Sequence, residues 1–234
     1  MNCRTCTLSI PSITLLPLVV ILFLSCTQGK PILHSSVVQL VLVETENGSF
    51  AERLSYFAFF DDPDGAYDFG SIRIVHDETA LEWTILPADA EVRLRGADRW
   101  TGSADLAGPG NTPFPGGEYS VTVSDLAGNE VPGSFTLVRP LFPERAPAVF
   151  SVQGQDWEIV RNRDARAFDK TFLLLYNTAG QLLYSYRVAD TTNNRVAGTI
   201  ASLKALAREA ATVRCYTENE SGSAGVLLIP VDIR

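Results

Sequence analysis

Apolar and polar residues alternate with a period of two through most of the chain beyond residue 35. The first 25 residues break that rhythm with a nearly unbroken apolar run. Alternation over four to eight residues marks a half-buried strand. SVVQLVLVET (residues 36–45) is β-branched throughout and is broken by Glu-Asn-Gly-Ser. RLSYFAFFDD follows and ends in the turn-rich DDPDGAYDFG. SIRIVHD places Ile72 and Ile74 opposite Arg73, and LEWTILP centres Trp83 as a candidate core anchor. AEVRLRG is expected to turn Val92 and Leu94 inward, while EYSVTVSDLAGNEV sets Tyr119, Val121 and Val123 on one face. GSFTLVRP closes this stretch, and the Gly/Pro-rich residues 99–117 read as a connection rather than a strand. Seven or so short strands with turns between them are the signature of a β-sandwich.

Three prolines within residues 139–148 suggest a stiff linker. Beyond them PAVFSVQG, DWEIVRN, KTFLLLY, LLYSYRV, ATVRCYT and GVLLIPVDIR repeat the strand pattern. YNTAGQLLY reads as a hairpin and ENESGSAG as a second turn. One segment departs from this pattern, residues 199–210, where Ala and Leu favour a helix of up to three turns.

The amino-terminal run has a cation (Arg4), an apolar core from about Leu8 to Leu24, then Ser25 and Cys26. Charge, apolar core and a small residue before a cut site form a secretory signal. The cysteine directly after the small residue resembles the lipobox of bacterial lipoproteins. That resemblance implies cleavage before Cys26, diacylglycerol on its thiol and acylation of its freed amine. Phe23 and Leu24 stand where the family prefers Leu and then Ala or Ser, a looser form that spirochaetes and other diderm bacteria tolerate. The alternative is an uncleaved span. The run is at the short edge of the roughly 17–25 residues a span needs, and Pro11 and Pro17 interrupt it. Thr27 is not the Asp that retains enteric lipoproteins in the inner membrane, so the outer membrane is favoured.

Two further stretches, DPDGAYDFGSIRIVHD and, about fifty residues later, FPGGEYSVTVSDLAGNE, resemble bacterial immunoglobulin-like modules of exported proteins. The resemblance implies an immunoglobulin-like sandwich and identifies no ligand. Its motifs have a physical logic. Tyr119 shares a face with Val121, as a tyrosine at a sandwich corner does. Asp125 and Asn129 flank Ala-Gly, which suits a tight hairpin with positive φ at Gly128. The expected fold is therefore all-β: two immunoglobulin/fibronectin type III-like sandwiches in tandem after a lipoprotein signal peptide. The boundaries are 1–25 for the signal, 26–35 for the lipidated Cys26 and tether, 36–139 for the first sandwich, 140–147 for the linker and 148–234 for the second.

Composition narrows the function. The chain holds 19 basic and 27 acidic residues, with a net charge of −8, and Arg4 is the one charge in the signal segment. An acidic body without a Lys/Arg run argues against nucleic acid and against a polybasic membrane patch. Of four cysteines, Cys3 and Cys6 leave with the signal and Cys26 is lipidated. Cys215 then stands alone and reads as a small buried hydrophobe. No disulfide is expected.

Candidate chemistry is sparse. Asp62, Asp64 and Asp68, with neighbouring Asp61, offer oxygens around Gly65 that could hold Ca²⁺, although Asp-Pro-Asp-Gly is also a turn sequence in its own right. His76 stands beside Asp77 and Glu78 without a partnered nucleophile, and His34 lies in the tether. Asn47-Gly-Ser and Asn219-Glu-Ser read as loop residues. The chain has no Gly-x-Ser-x-Gly, His-Glu-x-x-His or P-loop pattern, so no enzyme and no cofactor are expected beyond the lipid. These readings point to a non-catalytic, membrane-anchored protein that presents its domains to protein or glycan at the cell envelope. The alternatives are an assembly subunit of an envelope complex and a carbohydrate-binding accessory module. An exposed aromatic row would favour sugar, and an apolar patch would favour assembly.

Overall fold

The computed structural model describes residues 29–234 except 66, 67, 166 and 190–193. The signal segment and Cys26 lie outside the described residues. Among those residues no helix is long and apolar enough to cross a membrane.

The alternating segments form strands as expected. In chain order they are β1 (Ile32–Glu44), β2 (Phe50–Asp61), β3 (Phe69–His76), β4 (Glu82–Ile85), β5 (Glu91–Arg95), β6 (Asp98–Ala107), β7 (Gly117–Asp125) and β8 (Glu130–Leu137). Then come β9 (Ala148–Gln153), β10 (Asp156–Arg161), β11 (Lys170–Tyr176), β12 (Leu182–Arg187) and β13 (Arg195–Thr199). A single α-helix among the described residues, α1 (Ile200–Leu206), precedes β14 (Thr212–Glu218), β15 (Ala224–Leu227) and β16 (Val231–Asp232). The protein is all-β, with sheets packed in a sandwich-like arrangement.

Three sheets share the strands. A nine-stranded sheet runs β12-β11-β14-β15-β1-β2-β6-β5, with β16 also paired to β14. The smaller sheets are β4-β3-β7-β8 and β13-β10-β9. Two apolar clusters fill the spaces between large and small sheets. One gathers Leu40, Leu54, Tyr56, Ile72, Ile74 and Tyr119, the other Trp157, Ile159, Leu173, Leu175, Val213 and Cys215. β1 serves both: Leu40 belongs to the first cluster, and Leu42, two residues on and so on the same face, packs against the second. Parallel pairing of Leu40–Val43 on β1 with Ala224–Leu227 on β15 makes the large sheet continuous. Phe142, from the proline-rich stretch, packs against both clusters. That stretch is fastened at its start, where the Arg139 guanidinium meets the mostly buried Glu52 carboxylate and the Phe114 carbonyl.

Local chemistry explains the ends of elements. Tyr119 Oη donates to the Pro115 carbonyl, four residues upstream, at 2.7 Å, which is the tyrosine corner. Gly128 takes φ +86 in the β7–β8 turn, where Asp125 and Asn129 hold each other at 2.7 Å. Thr199 caps α1 by accepting from the Ser202 N–H at 3.2 Å, and Ile200 and Leu203 turn inward one helical step apart.

Five segments differ from the expectation. Val92 and Leu94 on β5, expected inward, are both exposed, because β5 is the last strand of the large sheet and every one of its residues is open to solvent. Residues 98–107, read as a connection, form a ten-residue strand. Its Gly, Asp, Ser and Ala carry little strand preference, and it is held by pairing with β2 on one side and β5 on the other. β1 begins at Ile32, within the stretch read as tether, because Ile32 pairs with Asp61. Residues 195–199 form a strand against β10. The helix stops at Leu206, short of Ala210, because Ala207 leaves the helical backbone and a turn closed by the Ala210 N–H on the Ala207 carbonyl leads to β14, with Ala207, Ala210 and Ala211 buried.

Candidate functional site

The acidic turn after β2 is the first place to look for a ligand. Of the three expected oxygens, the fold brings Asp62 and Asp68 together and adds Asp125: one carboxylate oxygen of each lies within 4.8 Å of the others. Asp125 arrives because β3 and β7 pair Phe69 with Asp125. Asp64 points elsewhere and accepts from the Gly29 N–H at 2.9 Å. Asp62 Oδ1 accepts from the Asp64 N–H at 2.8 Å, while its Oδ2 is buried without a donor among the described residues. Partial burial, and then the negative charges of Asp62, Asp125 and Asp64, push the Asp68 carboxyl above its ordinary value of 3.8. Asp125 also loses hydration, but donors from Asn129, Ala127 and Gly128 outweigh that and hold it below 3.8. Three carboxylates are fewer than the six to eight oxygens Ca²⁺ takes, and Asn129 already occupies both oxygens of one of them.

Neither histidine is placed for catalysis. His76 is buried at the sandwich corner: Nδ1 accepts from the Thr79 N–H at 3.2 Å and Nε2 donates to the Gly116 carbonyl at 3.2 Å. His34 lies on β1, not in a tether. It bonds Asp61 at 2.9 Å and stacks on Phe59 at 4.9 Å. Cys215 is fully buried in the second cluster, and burial pushes its thiol up to about 12, which favours the protonated form.

The outer face of the large sheet carries the aromatics left over from the cores. Tyr56 faces inward, so Phe57 faces outward, yet it is only 4 % exposed because the Arg93 guanidinium lies 3.9 Å above its ring. Arg95 covers Trp100 at 5.0 Å, and Phe172 packs against Tyr216 at 6.1 Å. Phe50 and Tyr184 are the broadly exposed rings among the described residues, and they stand on widely separated strands of this sheet. No row of open rings is formed.

The edge of that sheet is different. On β12, Leu182, Leu183 and Tyr184 are 53 %, 37 % and 43 % exposed. Successive strand residues point to opposite faces, so both faces are apolar and open. Among the described residues only β11 pairs with β12, so Leu182–Tyr184 stand at the edge of the sheet. Next to this edge, a cleft of about 390 Å³ is lined by Tyr176, Asn177, Thr212, Arg214 and Arg234. Arg234 is committed to Asp232, whose carboxyl it draws down to about 2. Arg214 donates through Nε to the Leu228 carbonyl at 2.8 Å, and burial lowers its pKa. Sequence reasoning missed both Asp125 and Arg214, although the Asp-x-x-Gly-Asn spacing of the hairpin marks the first.

The fold and these surfaces define an all-β, sandwich-like protein. No protein-family model matches the chain, and no curated protein matches it. Among solved structures it is similar to the 47-kilodalton lipoprotein Tp47 of Treponema pallidum, at 11 % identity and TM-score 0.37, covering 88 % of this chain and 52 % of that one. It is also similar to dimeric latent PorU from Porphyromonas gingivalis, at 14 % identity and TM-score 0.32, covering 85 % and 20 %. A third likeness is to the BSP domain of a biofilm associated protein, at 10 % identity and TM-score 0.27, covering 86 % and 29 %. The chain thus spans about half of the first of these structures and less than a third of the other two.

Proposed function

We propose that this chain is an exported, lipid-anchored protein of the bacterial envelope that works by contact rather than catalysis. Its two β units stand outside the cytoplasm, tied through Cys26 to a membrane, with the outer membrane favoured over the inner. The observation that carries the contact reading is the β12 edge, where Leu182, Leu183 and Tyr184 are exposed on both faces at the end of the strand order. Such an edge takes a strand from another protein, with main-chain hydrogen bonds supplying affinity and alternate side chains supplying specificity. A protein partner, as in an envelope assembly, is favoured over a glycan because the outer-face rings are covered by Arg93 and Arg95.

A photo-crosslinking residue at position 183 in intact cells is expected to give discrete protein adducts. The same residue at exposed Leu86, on the loop after β4, gives none. Adducts of equal yield from both positions would remove the edge reading.

Calcium at the acidic turn is a separate proposal, with Asp62, Asp68 and Asp125 as its ligands. Excess Ca²⁺ is then expected to raise the melting temperature of EDTA-treated protein, and Asp68→Asn abolishes that rise. Asp68→Asn also raises the metal-free melting temperature, because it removes the charge repelled by Asp62 and Asp125. The sign follows from linkage. A carboxyl whose folded pKa is raised favours folding below its unfolded value and loses that contribution as pH rises through the folded one. The gain from Asp68→Asn therefore appears above the ordinary aspartate range and vanishes in acid. An identical melting temperature with Ca²⁺ and with EDTA ends the calcium reading.

A further inference from the structure

The membrane anchor and the fold together select which end of the body meets lipid. Cys26 stands three residues before Gly29, and three residues of extended chain reach at most about 10 Å. Gly29 is already part of the body: its N–H donates to Asp64 Oδ2 at 2.9 Å, and a Cβ at Gly29 would lie 2.7 Å from Pro63. Pro31 is buried and Ile32 pairs with Asp61. The chain therefore passes from anchor to sheet without a long spacer.

Two further turns lie at the same end as Pro63 and Asp64. The Leu126 N–H donates to the Asp68 carbonyl at 3.1 Å, which brings the β7–β8 turn beside the acidic turn. Phe59 pairs with Trp100, which places the β5–β6 turn at Arg95–Asp98 on that end as well. Leu126, at the tip of its turn, is 68 % exposed, and Ile32 is 54 % exposed. Lys30 and Arg95 are exposed nearby. Apolar tips beside Lys30 and Arg95 suit a headgroup boundary, where Leu is buried and Lys and Arg meet phosphate, while exposed Asp61, Asp64 and Asp98 leave this end net acidic. The carboxylates of Asp61, Asp62 and Asp64 suit a zwitterionic surface better than an anionic one.

The rest of the molecule lies along β1 away from this end. Thirteen residues at about 3.3 Å each make β1 roughly 40 Å long. β15 joins it only at Leu40–Val43, eight residues and roughly 26 Å from Ile32. The β1–β2 turn, the β11–β12 turn and the Tyr176 cleft therefore stand at the far end.

We infer that the end of the sandwich bearing Asp61–Gly65 and the β5–β6 and β7–β8 turns rests on phospholipid headgroups, and that the β12 edge is held away from the bilayer. This inference rests on the membrane-anchor reading in which Cys3 and Cys6 leave with the signal and Cys26 is acylated.

The test uses the full anchored chain reconstituted into phosphatidylcholine vesicles containing a headgroup spin-labelled lipid, a contact-range quencher. A fluorophore is attached singly at Leu126→Cys or Ala97→Cys on the near end, and at Glu46→Cys or Ala179→Cys on the far end. Cys215 is buried and does not compete for label. Most of the fluorescence is expected to be lost at 126 and 97, and essentially none at 46 and 179. Equal quenching at all four positions in protein that floats with the vesicles overturns the orientation and leaves the anchor standing. Failure to float overturns the anchor, and the orientation falls with it.

Discussion

Replacing Cys26 by Ala is expected to abolish incorporation of labelled palmitate completely and to leave a precursor that still carries its first 25 residues. Alanine has no thiol to take diacylglycerol, and in the lipoprotein pathway that modification precedes the cut. The wild-type chain should enter the detergent phase on phase separation, because each buried methylene contributes about 0.8 kcal/mol and two or three acyl chains anchor where one does not. The rival reading, an uncleaved span, makes the opposite prediction. On that reading the thiol is idle, and Cys26→Ala matches wild type in size, label and partitioning. Pro11 and Pro17 weigh against the rival because each removes a backbone donor from a run with little length to spare.

On the proposed anchor, attachment and contact surface depend on each other through β1. Gly29 and Ile32 tie its start to the acidic turn after β2, and Leu40–Val43 tie its second half to β15. One strand thus connects the point of attachment to the sheet whose far edge is β12. A tether that was long and mobile would leave that edge free to face any direction. If Cys26 carries lipid as proposed, the path from Gly29 to that edge runs through hydrogen-bonded backbone.

Segments whose own residues specify them were legible in the sequence. β3, β7, β11 and β14 alternate because one side of each faces a core, and that pattern survives in the burial of Ile72 and Ile74, Val121 and Val123, Leu173 and Leu175, and Val213 and Cys215. Tyr119, Trp83 and the Gly128 turn were legible for the same reason: side-chain chemistry at a fixed spacing. What sequence does not carry is long-range partnership. The parallel pairing of β1 with β15 joins residues far apart in the chain, and nothing in VVQLVLV distinguishes a strand with one neighbour from a strand with two. Asp125 joins Asp62 and Asp68 only through the register of β3 on β7. His34 read as tether because its support, Phe59 and Asp61, comes from the neighbouring strand. For the same reason β6 hid within a Gly- and Asp-containing stretch: its partners specify it.

That dependence makes Gly102, in the middle of β6, the position where the smallest change is expected to cost the most stability. A Cβ on Gly102 would lie 1.9 Å from the Tyr56 carbonyl oxygen and 2.7 Å from the Phe57 Cα. Both neighbours are backbone atoms of β2, so no side-chain rotamer change relieves the clash. β2 cannot easily retreat, because Tyr56 is fully buried in the first core, Phe57 is 4 % exposed, and β1 pairs along the whole length of β2 on its other side. The register of β2 against β6 already shifts between Leu54 and Tyr56, so the strands meet closely at an irregularity that glycine permits. Overpacking a tight site costs about 1–3 kcal/mol where side chains can yield, and a backbone clash belongs at or beyond the upper end. Gly102→Ala is therefore expected to lower stability by about 3 kcal/mol in urea unfolding followed by tryptophan fluorescence. Ala104→Gly, two residues along the same strand, is the control and should cost about 1 kcal/mol or less, since it adds only backbone freedom. A Gly102→Ala chain as stable as wild type would show that β6 can part from β2 without loss. The nine-stranded sheet would then owe its β5–β6 end to something other than that close contact.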